Sequence, residues 1–255
     1  MQINNLEKFL AKVKAGQCPL GGCVSFSDPA ATEVVAESGF DFVFIDGEHG
    51  EIDRNTAMHH LMAVRGTDCA SFYRVPACSH TEIKKVIDFA PAGIIVPMVM
   101  NAEEAALAIS AMRYPPVGDR GCGFRRGLAY GARNMDEYWK EAAHDPMVIL
   151  QIEHINAVND LDRILALPGL DSVLVGPYDL SASMGKAGQW DDPEVATAYD
   201  EVARKAKAKG VLLGVSLETQ YAAWKRRGVD YMAVRSDTGA MMEGFRNAIK
   251  AFREA

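Results

Sequence analysis

Eight times along this chain a short run of apolar, largely β-branched residues is followed by a stretch with helical spacing. The runs are GGCVSFS (21–27), FDFVFID (40–46), SFYRV (71–75), GIIVPMV (93–99), MVILQIE (147–153), DSVLVGP (171–177), VLLGVSL (211–217) and YMAVRSD (231–237). Strands buried on both faces read as continuous apolar runs, and helical crossovers between them imply parallel pairing. Eight such units in 255 residues close naturally into a barrel. An open, doubly wound sheet is the rival, but no glycine-rich phosphate turn follows the first strand. The pattern therefore predicts an α/β chain, a (β/α)8 TIM barrel of one domain over 1–255. The amphipathic MQINNLEKFLAKVKAG forms an N-terminal capping helix. One segment breaks the rhythm, PPVGDRGCGFRRGLAYGARNM (115–135), and a loop of that length in a compact domain is usually functional.

Partners follow from charge. A net charge of −7 disfavours nucleic acid and anionic membranes. The longest apolar run, GIIVPMVM (93–100), is too short to span a bilayer. Five cysteines with no CxxC pair suit a reducing compartment, so a cytoplasmic protein is expected.

In such barrels the chemistry sits at the C-terminal ends of the strands. Asp46-Gly47-Glu48-His49 stand there on the second strand, Arg74 on the third, Gln151 and Glu153 on the fifth, and Gly176-Pro177-Tyr178-Asp179 on the sixth. Two carboxylates from neighbouring strands, Glu153 and Asp179, repel unless a cation or proton lies between them. Carboxylate oxygens suit Mg²⁺ or Mn²⁺; helix caps or salt bridges to loop arginines are the alternative. Gln151, two residues before Glu153, points the same way. His49 has the pKa of an acid–base group, although a structural role fits it as well. Arg74 is placed to hold a carboxylate or a developing enolate oxygen, or to pair with Asp46 or Glu48. His154 follows Glu153, and alternation turns it away from the barrel axis. None of the twelve lysines falls within a strand or at its end, which disfavours Schiff-base chemistry.

DGEHG (46–50), YRVP (73–76), IIVPMV (94–99), RYPPVGDRG (113–121), LQIE (150–153) and VGPYDLSASMG (175–185) stand in the order and spacing of one family. From about residue 20 to 250 the chain resembles the HpcH/HpaI aldolases, metal-dependent pyruvate aldolases of the phosphoenolpyruvate/pyruvate-binding barrel superfamily. The resemblance implies Glu153 and Asp179 as ligands of Mg²⁺, Mn²⁺ or Co²⁺, Gln151 and Arg74 as pyruvate contacts, and His49 as the acid–base residue. It implies Asp88 as the aspartate that orients that histidine, and the backbone at Gly176-Pro177-Tyr178 as the seat of the substrate carboxylate. It further implies hexamers of paired barrels and small 2-oxo acid and aldehyde substrates. The expected reaction is retro-aldol cleavage of a 4-hydroxy-2-oxo acid to pyruvate and an aldehyde such as a semialdehyde. A metal-independent, citrate-forming condensing synthase in the same barrel and a non-catalytic 2-oxo acid binding protein are the alternatives. Arg120, Arg125, Arg126 and Arg133 cluster in the 115–135 loop of an acidic protein. Arginine pairs well with carboxylates, so that loop, Arg120 included, is expected to bind acidic acceptors.

Overall fold

The structure is a computed structural model and describes residues 3–255. Helix α1 (Leu6–Lys14) precedes β1 (Leu20–Val24), α2 (Pro29–Glu37), β2 (Phe42–Asp46) and α3 (Arg54–Ala63). Then come β3 (Ala70–Arg74), α4 (His80–Ile87), β4 (Gly93–Val96) and α5 (Ala102–Met112). A 3-10 turn (Arg126–Gly131) and α6 (Met135–Ala142) lead to β5 (Met147–Ile152), α7 (Ile155–Asn159) and α8 (Leu161–Ile164). The chain ends with β6 (Ser172–Val175), α9 (Pro177–Ser183), α10 (Pro193–Lys209), β7 (Leu212–Ser216), α11 (Tyr221–Arg227), β8 (Tyr231–Ser236) and α12 (Asp237–Glu254). The eight strands pair in chain order, all parallel, and β8 closes on β1. The expected barrel is the observed one.

Alternation along each strand sorts the core into two shells. Val43 and Ile45 of β2 face the surrounding helices, with Val148, Leu150 and Val173 on other strands. Phe42, Phe44, Phe72, Ile149, Leu174 and Tyr231 fill the barrel interior. Helix α1 closes the N-terminal mouth, because its Phe9 ring meets Phe72 edge-on at 4.9 Å, Tyr231 at 5.3 Å and Phe42 at 5.8 Å. Such pairs contribute beyond simple burial. The floor is sealed, so only the C-terminal mouth is left for a site.

Helix starts follow their caps. The side chains of Asp28, Asp53, Asn101, Asn134 and Asp192 each accept a backbone N–H in the first turn of the helix that follows. The helical stretch after β5 is broken at Asp160, whose carboxylate accepts the N–H of Ala102 at 2.8 Å. Helices α6 and α9 arise where the sequence pattern shows no separate unit. No helix among the described residues is long and apolar enough to cross a membrane.

Candidate active site

Helix α1 fills one mouth with rings; polar side chains converge on the other. Register sets Asp46 beside Arg74, and alternation turns both into the barrel. Arg74 donates from Nε and Nη2 to the two oxygens of Asp46 at 2.9 and 2.7 Å, a bidentate pair. Its Nη1 lies 3.0 Å from Glu48 Oε2 and 3.4 Å from Gln151 Oε1. The guanidinium also lies over the Phe44 ring, 5.1 Å from its centre. Asp46 in turn accepts the N–H groups of Glu48 and His49 at 3.0 and 3.2 Å, which folds the loop after β2. Burial alone would raise the Asp46 carboxyl, but Arg74 and these amides hold it below its ordinary value. Burial would likewise depress Arg74, and its carboxylates reverse that.

Gln151 passes the chain on to Glu153, donating its amide to Oε2. The other oxygen of Glu153 accepts the N–H of Met98 at 2.7 Å. Met98 presents that N–H from a left-handed conformation, φ 50°, in the bend after β4. Burial, followed by the charges of Asp179 and Glu48, pushes the Glu153 carboxyl up to about 7, despite the Met98 amide and Arg74. Glu48 is raised too, again by burial first. The C-terminal mouth thus gathers Asp46, Glu48, Glu153 and Asp179 against one guanidinium, one edge of which Asp46 already engages with both its oxygens. Gly176 makes room for this. A Cβ there would lie 2.5 Å from Glu153 Oε2 and 2.9 Å from its Cβ.

Asp179 sits in the first turn of α9, after the buried Gly176 and Pro177, and is exposed. Tyr178 is exposed too and packs edge-on against Trp190 at 4.9 Å. His49 stands at the rim with its side chain 69% exposed, and its Nε2 is 3.8 Å from Glu48 Oε2. His154 caps α7 and accepts the N–H of Asn156 at 3.1 Å.

Two residues assigned to the site from the sequence have other partners within this chain. Asp88 does not reach His49: it caps the C-terminal end of α4, which runs back from the mouth towards the start of β4. Its partner there is Arg120, at 3.3 Å. Arg120 is accordingly no substrate contact of its own barrel. It is buried, lies over the Tyr114 ring at 4.4 Å and donates to the Tyr138 hydroxyl at 3.3 Å. Arg126 donates to the carbonyls of Phe89 and Leu61, each at 2.8 Å, and Arg133 pairs with Glu141 at 2.6 Å. Only Arg125 of the four is exposed. The loop starts at the floor because α5 descends from the mouth, and its arginines are used to pack it there.

Two participants were not singled out from the sequence. Glu48, next to His49, reads from the sequence only as a salt-bridge partner of Arg74. The Met98 amide carries no signal in its residue type.

A profile of the HpcH/HpaI aldolase/citrate lyase family matches residues 23–241. The 5-keto-4-deoxy-D-glucarate aldolase of Enterobacter sp. is 32% identical over 250 residues, 97% of either chain. The hydroxypyruvate/pyruvate aldolase of Agrobacterium fabrum is 34% identical over 244 residues, 96% of this chain and 91% of that one. Among solved structures, the citrate synthase SbnG superposes with a TM-score of 0.85 at 28% identity, over 96% of both chains.

Proposed function

The chain belongs to the HpcH/HpaI aldolase/citrate lyase family and is an aldolase, a carbon–carbon lyase; we propose that it cleaves 4-hydroxy-2-oxo acids to pyruvate and an aldehyde, using a divalent cation held by Glu153 and Asp179. The reading is carried by the surplus of carboxylates around Arg74, Gln151 and Glu153. An all-oxygen donor set with that surplus fits Mg²⁺, Mn²⁺ or Co²⁺. No group of three or more His, Cys, Asp or Glu side chains among the described residues could hold a metal by itself. Two carboxylates would then leave the other positions to water and to the oxygens of a 2-oxo acid. A cation bound there supplies Lewis acidity to those oxygens.

The chain's own groups do the rest. Arg74, oriented by Asp46 and Glu48, presents Nη1 beside Gln151 to the 2-oxo oxygen. The turn at Gly176-Pro177-Tyr178 opens α9 and offers the first-turn N–H groups of Tyr178 and Asp179 to the substrate carboxylate. His49 takes the proton of the C4 hydroxyl; the C4–O electrons form the aldehyde carbonyl as the C3–C4 bond breaks. The C3–C4 pair moves into the pyruvate enolate, whose oxygen lies against Arg74, and a proton delivered to C3 completes pyruvate. Reversal adds pyruvate to an aldehyde. The Agrobacterium relative's name fits pyruvate or hydroxypyruvate as the donor. The protein works in the cytoplasm on these small molecules, as a homohexamer.

The test is pyruvate release from a panel of 4-hydroxy-2-oxo acids, with chelator and after adding back Mn²⁺, Mg²⁺ or Co²⁺. Cation-dependent release is expected, lost in Glu153→Ala. Full activity in Glu153→Ala sinks the cation assignment. Condensing activity that ignores chelator would favour the reading suggested by the citrate synthase neighbour.

A further inference from the structure

Four arginines are buried among the described residues, and three of them meet a carboxylate. Arg74 meets Asp46, Arg113 meets Asp171 and Arg120 meets Asp88. Arg126 does not. It is 3% exposed, its partners are the carbonyls of Phe89 and Leu61, and no carboxylate stands among them. Those two dipoles fix the guanidinium without matching its charge, and they take two of its five N–H donors. Burial pushes its pKa down to about 10; Tyr130 opposes that shift and the charge of Arg65 adds to it. A buried charge without a counter-charge is costly, and an anion beside it removes that cost.

Arg126 lines a cavity of about 540 Å³ at the floor of the barrel, between α1, the turn leading into β3 and the 3-10 turn. Lys8, Arg65 and Arg133 line it too, against a single carboxylate, Asp68. Lys8 takes Asp68 at 2.6 Å, and Arg133 is held by Glu141. Arg65 is exposed and enters no ion pair among the described residues. One fixed and one mobile guanidinium therefore border the same cavity with no acidic side chain left for either, in a protein of net charge −7. The backbone on this lining is strained as well. Ala129 holds a left-handed conformation, φ 47°, and Tyr130 follows at 56°. Neither is glycine, and strain of this kind gathers at ligand clamps.

We propose that this floor cavity is an anion site, separate from the catalytic mouth, which takes a phosphate dianion, free or as a small phosphate monoester, between Arg126 and Arg65. Two unmatched cations call for a dianion, and a phosphate presents oxygens to guanidinium forks on two sides at once. The volume lies in the range of small-molecule sites. The ligand takes no part in the aldol reaction, because Phe9 of α1 and the rings it meets fill the barrel between this cavity and Glu153. It joins α1 to the 3-10 turn and to the entry of β3, and so stabilises the folded chain by mass action. The inference stands apart from the aldolase assignment.

Isothermal titration calorimetry on the full chain tests it, in chelator and at an ionic strength fixed with sodium chloride. Inorganic phosphate and glycerol 3-phosphate are the probes, and the tighter of the two tells free anion from ester. Saturable binding at one site per chain is expected, with a higher melting temperature at saturation. Arg65→Ser removes an exposed charge, and Arg126→Met removes the buried one while filling its space. Each should weaken binding at least tenfold, the worth of one hydrogen bond between charged groups. Arg125→Ser, exposed in the same loop but outside the cavity, should bind like wild type. Should Arg126→Met fail to fold by circular dichroism, Arg65→Ser decides alone. A wild type without saturable heat overturns the proposal. So does binding that survives in Arg65→Ser and in folded Arg126→Met, which would put the phosphate at the mouth. Binding weakened as much by Arg125→Ser also overturns it, since net charge and not this cavity would then hold the anion.

Discussion

Glu153 should make the cation-free protein less stable as pH rises. Burial and the charges of Asp179 and Glu48 lift its carboxyl from the ordinary 4.5 to about 7. A group whose folded pKa is raised contributes stability that is fully present below its unfolded pKa and is lost as pH rises through the folded one. The window is therefore about 4.5 to 7. With about 1.36 kcal/mol per pH unit, the loss is at most roughly 3 kcal/mol. For a chain of this size that corresponds to a melting temperature about 6–10 °C lower. Glu153→Gln keeps an acceptor for the Met98 amide and removes the charge, so it serves as the reference. Scanning calorimetry from pH 5 to 8 in chelator should show wild type falling relative to the glutamine variant. Mn²⁺ at pH 8 should restore wild type and leave the variant where it was. Two melting curves that run parallel across the pH range, with or without Mn²⁺, would refute both the burial argument and the cation's place beside Glu153.

Three further outcomes follow from the same geometry. His49→Ala should slow aldol cleavage about a hundredfold or more, the usual worth of a positioned general base, while pyruvate affinity, measured by calorimetric titration, stays within a few fold. Gly176→Ala brings a methyl group to 2.5 Å from Glu153 Oε2; cation affinity and kcat should both fall while circular dichroism stays native, and unchanged kinetics would show that the crowding is relieved at no cost. Arg120→Ala leaves Asp88 half-buried without its cation and should cost about 3 kcal/mol in urea unfolding, whereas Arg125→Ala should cost nothing measurable; neither should alter how a single barrel's own residues bind pyruvate.

The barrel was legible because its strands are apolar on both faces and its helices punctuate them at short intervals, so periodicity and topology agreed. The candidate site's placement was legible for a related reason. Once the barrel is granted, the end of each strand has a known destination, and alternation decides which side chains enter. Arg74, Gln151 and Glu153 were found that way and do form one hydrogen-bonded chain. What lay between strands was harder. Composition counts charges and is blind to their partners, so four arginines in an acidic protein read as a binding surface. Three of them are spent on packing: Arg120 on Asp88 and two tyrosines, Arg126 on two carbonyls, Arg133 on Glu141. Asp88 came from the family resemblance instead, and a motif position says nothing of which end of α4 it caps or that Arg120 is its partner. Helix α12 shows the converse limit. Its apolar stripe is plain in the sequence, but periodicity states only that such a face must be covered. That its own chain leaves this face bare is seen only in the structure, where Met241, Phe245, Ile249 and Phe252 are all exposed.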